Sequence, residues 1–275
     1  MFDPGDIPKN LLVPVNQVVD RIQEVAPELE TPRVMLVGAF CRDLIHAALG
    51  DATPTRRTHD LDLALGIGTW SVYDAITQRF PQVSDSGICF RIAEIDVDVL
   101  PFGPVEEPPG IVEPPTRGEP FSVWGFEEIH SAALPLSLPG GQVITLPTVP
   151  GYAAAKLAAW LDRSVHGEYK DATDLAVVVH WYLESPVVQA RLYEGDGTGG
   201  FQAEGFDLSL AAARQLGADI SATIGQPRIS ELLARWPGNL ELLVRELQSP
   251  GLGPWPARER RRELIDALTR GLNEA

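Results

Sequence analysis

The chain has 275 residues, of which 44% are hydrophobic, so it can bury a sizeable core as one large domain or as two ordinary ones. Its formal net charge of −16 argues against nonspecific binding of nucleic acid by the whole molecule, although a local basic groove stays open. Two widely separated cysteines favour a reducing compartment, and neither a signal segment nor a membrane-length apolar run is visible. We therefore expect a cytoplasmic protein without membrane contact.

The N-terminal half alternates helical and extended patterns. Apolar residues at helical spacing predict a helix in "NQVVDRIQEVAP" that Pro27 closes, and "RVMLVG" follows as a buried strand. After Gly38 a helix is predicted as far as Gly50, and a polar loop leads to a strand. The remaining segments here are the strand "HDLDLAL", the helix "TWSVYDAITQRF" and the extended "FRIAEIDVDVLPFG".

After residue 102 the sequence predicts a loop and a hairpin, and then mainly helices. Residues 103–120 are crowded with proline, glycine and glutamate, which predicts a long surface loop, and "ALPLSLPGGQVITLPT" predicts a hairpin. Helices are then predicted in five separate segments, with "EGDGTGG" as a flexible break: "GYAAAKLAAWLDR", "KDATDLAVVVHWYLE", "SLAAARQLGADISATI", "RISELLARWPGNLELLVREL" and "PARERRRELIDALTRGL". We predict an α/β (α+β) domain at residues 1–149 and an all-helical C-terminal part at 150–275.

Two strands carry alternating aspartates. Asp60 and Asp62 project from one face of their strand because residues two apart point the same way, and Asp96 and Asp98 do so in the later one. One interpretation is a solvated strand face. The other is a metal site, because carboxylates gathered on adjacent strands repel one another unless a cation lies between them. Such an oxygen-rich site suits Mg²⁺ held jointly with substrate phosphates.

Five segments, taken together and in order, resemble one known family. They are "VGAFCRDL", "RRTHDLDLAL", "IDVDVLPFG", "KLAAWLDR" and "YKDATDL". Their order and spacing are similar to those of the AbiEii/AbiGii-type nucleotidyltransferases, a branch of the polymerase-beta-like superfamily that includes the MenT toxins. The resemblance implies a nucleotidyltransferase-type domain with a small mixed sheet flanked by helices. It also implies that the helical C-terminal part completes the nucleotide site.

The resemblance also gives the motif residues their expected roles. Asp98 matches the family's third aspartate better than Asp96 does, because it directly precedes "VLPFG". Ala39 departs from the family, which often has serine there, yet backbone N–H groups at a helix N-terminus can still bind an anion. The implied residues are Gly38 and Ala39 at the nucleotide-binding turn, Asp60, Asp62 and Asp98 as catalytic metal ligands, and Lys156 as a catalytic, phosphate-facing lysine.

Four residues, among them Lys156, keep two interpretations each. Lys156 is either phosphate-facing or part of a solvated charged stripe on its helix. Asp171 and Asp174 share a helix face. They either orient Lys156, Arg163 or a metal-bound water near the nucleotide, or serve in capping and ion pairing. Arg42 either reaches a phosphate of the nucleotide or pairs with a carboxylate. His59 adjoins the first aspartate pair and is the one histidine there worth testing.

The resemblance implies transfer of a nucleoside monophosphate from a nucleoside triphosphate to an acceptor hydroxyl, with Mg²⁺ as cofactor and Mn²⁺ as the alternative. One hypothesis is the toxin half of a toxin–antitoxin pair that modifies the 3′ end of tRNA, with a cognate antitoxin as partner. A second hypothesis has a protein or small-molecule acceptor, which the acidic charge mildly favours. A third is a non-catalytic nucleotide-binding or assembly module. Retained, mutually repelling carboxylates argue against that third hypothesis.

Overall fold

A computed structural model describes residues 1–50, 60–252 and 255–274 of the chain. The chain divides into two compact units, one formed by Phe2–Thr148 and the other essentially by Val149–Ala275. The boundary expected from the sequence lay after residue 149. Within the described ranges, no helix combines the length and the apolar character that a membrane crossing requires.

The first unit is built on β-strands. A main sheet contains β1 (Val34–Val37), β2 (Leu61–Gly66), β3 (Cys89–Ile92), β4 (Ile95–Phe102), β7 (Leu134–Ser137) and β8 (Val143–Leu146), and a small sheet pairs β5 (Ile111–Val112) with β6 (Phe121–Ser122). The strand order of the main sheet is β3-β4-β2-β1-β8-β7. The sheet is mixed, because β2 runs parallel to β4 and antiparallel to β1.

Four helices accompany this sheet in the described part of the first unit: α1 (Val13–Val25), α2 (Gly38–Ala48), α3 (Trp70–Arg79) and α4 (Phe126–Ser131). The apolar residues of α1 recur at helical spacing and are buried, which explains why this segment is a helix with one core-facing side. α2 begins at the residue after β1 ends, so the turn from strand to helix is immediate. The expected mixed sheet flanked by helices is confirmed.

Some local expectations for this unit were wrong. The segment expected to be one extended piece is the β3–β4 hairpin, which turns at Ala93 and Glu94 with φ values of 52° and 62°. Left-handed φ at both turn positions matches the right-handed twist of the strands, but glycine or asparagine is the usual signal for it. The predicted surface loop contains β5, and the short helix α4 had no predicted counterpart.

The second unit is helical, as expected. Its described helices are α5 (Val149–Arg163), α6 (Lys170–Glu184), α7 (Pro186–Glu194), α8 (Thr198–Ala203), α9 (Leu208–Leu233), α10 (Leu240–Glu246) and α11 (Arg258–Leu272). α9 and α11 pack with almost no space between them, since a Cβ added at Gly217 or Gly271 would overlap the backbone of the other helix. Glycine is therefore required at both positions of this crossing.

Three details of this unit correct the sequence interpretation. The segment expected to be a flexible break includes the start of α8 at Thr198. α7 was not predicted, although Ser185 caps it by accepting a hydrogen bond from the N–H of Val188 at 3.3 Å. The helical pattern "RISELLARWPGNLELLVREL" is interrupted, because α9 ends at Leu233 and α10 begins at Leu240. The expected break before this pattern is confirmed by Gly225, whose φ of 74° is not helical and separates two helical segments of α9.

Candidate metal and nucleotide site

The site begins where β1 passes into α2. Val37, the last residue of β1, is the register partner of Asp62 in β2. Gly38 follows with a φ of 71°, a left-handed conformation that side chains disfavour. A Cβ at Gly38 would also overlap the carboxylate of Asp62, so glycine is needed here for conformation and for space. The first N–H groups of α2, which have no partner within the helix, therefore begin beside this carboxylate.

Asp62 has a second carboxylate beside it. β2 and β4 are parallel, and Asp62 is in register with Asp98. Residues in register on neighbouring strands, roughly 4.8 Å apart, project to the same face. Both aspartates are partly exposed, whereas the residues on either side of each are buried. The two acidic side chains therefore share the open face of a sheet whose opposite face belongs to the core.

Cys89 extends this row onto β3, where it is the register partner of Asp98. Burial first, and then the charge of Asp98 and hydrogen bonding to its carboxylate, raise the pKa of the Cys89 thiol to about 12. The thiol therefore keeps its proton at neutral pH. We call Asp62, Asp98 and Cys89 the carboxylate row.

The next pair on the same face of β3 and β4 is an ion pair. Arg91 is the register partner of Asp96, and its Nε lies 2.6 Å from Asp96 Oδ1. Asp96 is thus held in an ion pair, while Asp98 stands in register with Asp62. The choice of Asp98 over Asp96 as the third aspartate, which rests on the sequence resemblance, stays a prediction.

Asp60 lies just before β2 and is exposed. Its charge is the smallest of the causes that raise the pKa of Cys89. Within the described residues, however, no three His, Cys, Asp or Glu side chains are arranged as a metal-ligand group. Of the three expected ligands, the structure therefore brings Asp62 and Asp98 into register, and it does not gather Asp60 with them into one ligand group. His59 lies outside the described residues.

The pair fits a magnesium ion. Mg²⁺ usually keeps several water molecules and is bound by one or two carboxylates together with substrate phosphates, so it does not need an all-protein cage. Asp62 and Asp98 supply two such carboxylates on one open face, and the N-terminus of α2 adjoins Asp62. The donor set is therefore suited to a hard cation shared with a phosphate-bearing ligand.

Arg42 pairs with a carboxylate, which was one of its two interpretations. It is buried, and its Nη2 and Nε lie 2.7 Å and 2.9 Å from Asp43 Oδ1. Its guanidinium therefore contacts a carboxylate of its own helix. Ala39, the residue expected to be near the phosphates, is the second residue of α2 and is partly exposed.

The expected phosphate-facing lysine belongs to the helical unit and forms a cluster there. Lys156 Nζ lies 2.6 Å from Asp174 Oδ2 and 3.3 Å from Asp171 Oδ1, and all three residues are buried. Lys156 also lies 5.3 Å from the ring centre of Tyr152, and Arg163 Nη1 lies 3.4 Å from Asp171. Solvation of Lys156 on an exposed stripe was therefore the wrong interpretation.

Opposing effects set the charge state of this lysine. Burial alone lowers the pKa of Lys156, but the carboxylates of Asp174 and Asp171 outweigh it and raise the pKa above its ordinary value. The lysine is thus a buried cation with two anionic partners. Of the two interpretations of Asp171 and Asp174, the structure shows the ion pairing, with Lys156 as the shared partner, and their role near the nucleotide stays a prediction.

Sequence reasoning missed Cys89, which it used only as a sign of a reducing compartment. The signal was the hairpin in "CFRIAEIDVD". A turn at Ala93 and Glu94 pairs Ile92 with Ile95. Three residues further out on each strand, Cys89 is paired with Asp98.

Two comparisons with known proteins were negative: none of the protein-family models matches this sequence, and it has no significant match among curated proteins.

Proposed function

We propose that the protein is a Mg²⁺-dependent nucleotidyltransferase of the AbiEii/AbiGii type. One observation carries the proposal: the left-handed turn at Gly38 packs the start of α2 against Asp62, which is in register with Asp98. This combination supplies phosphate-binding N–H groups next to a pair of cation-binding carboxylates. A triphosphate with its metal ion requires both kinds of group within a few ångströms of each other.

The residues divide the chemistry between them. Asp62 and Asp98 hold the cation, Asp60 adds negative charge nearby, and the N–H groups at Gly38 and Ala39 bind phosphate oxygens. A bound Mg²⁺ would neutralise the triphosphate and lower the pKa of the acceptor hydroxyl. Asp98 would accept the proton of that hydroxyl as it attacks the α-phosphorus and pyrophosphate leaves. The phosphate contact expected of Lys156 stays a prediction from the sequence.

The acceptor defines the biological role. The proposal includes a toxin that modifies the 3′ end of tRNA and is restrained by an antitoxin. The alternative is transfer to a protein hydroxyl or a small molecule. The net charge of −16 gives the second class of acceptor an electrostatic advantage over RNA.

The test is an incorporation assay. The purified chain is incubated with Mg²⁺ and each α-labelled triphosphate, with tRNA, total protein and small metabolites offered separately. We expect label in one acceptor class with the wild type and none with Asp62→Asn. Nucleotide binding without incorporation would favour the non-catalytic module, and neither binding nor incorporation would overturn the proposal.

A further inference from the structure

Asp98 has a close neighbour on the side away from Asp62. The N–H of Val99 donates to the carbonyl of Ile88 at 2.8 Å, so the adjacent Cys89–Asp98 pair is of the kind without mutual backbone hydrogen bonds. The carbonyl of Cys89 accepts instead from the N–H of Val83 at 2.9 Å, on the other edge of β3. Side chains approach most closely in such pairs, so Cys89 and Asp98 face each other at short range.

The chain just before Cys89 is held in place by other parts of the unit. The hydroxyl groups of Tyr73 and Thr116 both donate to the carbonyl of Gly87, at 3.2 Å and 2.7 Å. Gly87 has a φ of 75°, and a Cβ there would lie 2.5 Å from the Cα of Arg117. The start of β3 is thus fixed between α3 and the loop that contains Thr116. This anchoring fixes the backbone from which the Cys89 side chain projects.

We propose that Cys89 is a positioning residue of the transfer site, whose thiol donates a hydrogen bond to Asp98 and fixes the orientation in which that carboxylate binds the cation. The inference rests on the proposed function. Partners that orient metal-binding side chains typically change metal affinity or activity by 10- to 100-fold when they are removed. A thiol is a weak donor, so we expect a change at the lower end, about tenfold.

A purely structural role predicts something else. If Cys89 only filled space, alanine and serine substitutions would act through stability and leave the metal requirement unchanged. If it orients Asp98, serine rescues the metal affinity because it keeps a donor at the same place, whereas alanine does not.

The test uses Mn²⁺ as the probe, since its binding can be followed by electron paramagnetic resonance without any turnover. The full chain is titrated as wild type, Cys89→Ala, Cys89→Ser, Asp98→Asn and the double variant Cys89→Ala/Asp98→Asn. We expect Cys89→Ala to weaken Mn²⁺ binding about tenfold and Cys89→Ser to stay within about threefold of the wild type. In the Asp98→Asn background, the alanine substitution should add no further loss, because its partner is gone.

Transfer kinetics supply the second measurement. With Cys89→Ala the Mg²⁺ concentration at half-maximal rate should rise by about the same factor, while the thermal midpoints of the alanine and serine variants stay similar. Equal Mn²⁺ affinity in wild type and Cys89→Ala, or an equal loss in alanine and serine variants, would overturn the positioning role.

Failure of the proposed function is a separate outcome. A wild type that binds Mn²⁺ but transfers no nucleotide would refute the nucleotidyltransferase, while the titrations still decide the role of Cys89. A wild type that neither binds Mn²⁺ nor transfers nucleotide would overturn both proposals.

Discussion

The two units use aspartates in opposite ways. In the first unit, Asp62 and Asp98 are partly exposed on one face of a sheet, next to a helix N-terminus. In the second, Asp171 and Asp174 are buried against Lys156. Buried charges must be neutralised locally, whereas carboxylates open to solvent can exchange water for a cation. Substitutions in the first unit should therefore change activity, and substitutions in the second should change stability.

The largest effect is expected at the carboxylate row. Asp98→Asn should lower nucleotide transfer by about 10³-fold or more, because a metal ion contributes several kcal/mol of charge stabilisation in the transition state. The free energy of unfolding should change by less than about 1 kcal/mol. Rates from the incorporation assay and urea denaturation of the same preparations measure both quantities.

Asp96→Asn is the matched control, since Asp96 lies two residues away on the same strand and is paired with Arg91. We expect this variant to stay within about tenfold of the wild-type rate, since Asp96 lies outside the carboxylate row. Equal losses for Asp96→Asn and Asp98→Asn would mean that only the overall negative charge of β4 matters.

The second unit should show the opposite response. Lys156→Met leaves two buried carboxylates without their shared cation, and we expect it to lower the free energy of unfolding by about 3–5 kcal/mol. Lys170→Met is the control, because the Lys170 side chain is 47% exposed and lies 3.8 Å from Glu168. Urea denaturation followed by circular dichroism measures both variants. A Lys156→Met protein as stable as Lys170→Met would contradict the structural role of the cluster.

An intermediate effect is expected at the turn beside Asp62. Gly38→Ala combines an unfavourable φ with overlap on the Asp62 carboxylate, and we expect transfer to fall by about 10²-fold, since small misplacements of catalytic groups have effects of this size. Gly50→Ala tests the strain alone, because Gly50 has a similar φ of 74° and no atom of the described residues lies within 4 Å of its Cβ position. Comparable rates for the two variants would mean that the packing of Gly38 against Asp62 is unimportant.

The strand faces that carry the aspartates could be predicted, because alternation is a local sequence pattern. Period-two alternation in "HDLDLAL" and "IDVDV" is enough to put the aspartates on one strand face, and the structure shows Asp62 and Asp98 in register. The pairing of Cys89 with Asp98 depends on the turn at Ala93 and Glu94, whose sequence lacks the usual glycine or asparagine.

Burial was harder to predict than secondary structure. The helix containing Lys156 was expected, but its burial could not be inferred, because it depends on two aspartates of a different helix closing over the ammonium group. α7 was missed for a different reason, because its sequence signal is a Ser185 cap rather than a long apolar period.

The smallest effect concerns pH. Burial, followed by the charge of Asp219, raises the pKa of Tyr182 well above its ordinary value of 10.0. The folded protein therefore keeps this proton where the unfolded chain loses it. The associated stability is complete below pH 10 and is lost as the pH rises toward the folded pKa, by up to about 1.4 kcal/mol per pH unit.

Tyr182→Phe should remove this part of the decline in unfolding free energy above pH 10. Tyr193→Phe is the control, because Tyr193 is 53% exposed. Urea denaturation at pH 9 and pH 11 compares the slopes of the variants with that of the wild type. Identical slopes for all three proteins would show that the buried phenol does not contribute.

The central claim is that the carboxylate row and the Gly38 turn support nucleotidyl transfer. The most direct measurement compares α-labelled and γ-labelled triphosphates with Mg²⁺ and each acceptor class, while pyrophosphate is quantified. We predict that only the α-label enters the acceptor, with one pyrophosphate released per transfer, and that Asp62→Asn abolishes both. Entry of the γ-label into the acceptor, or no label from either position, would contradict the account.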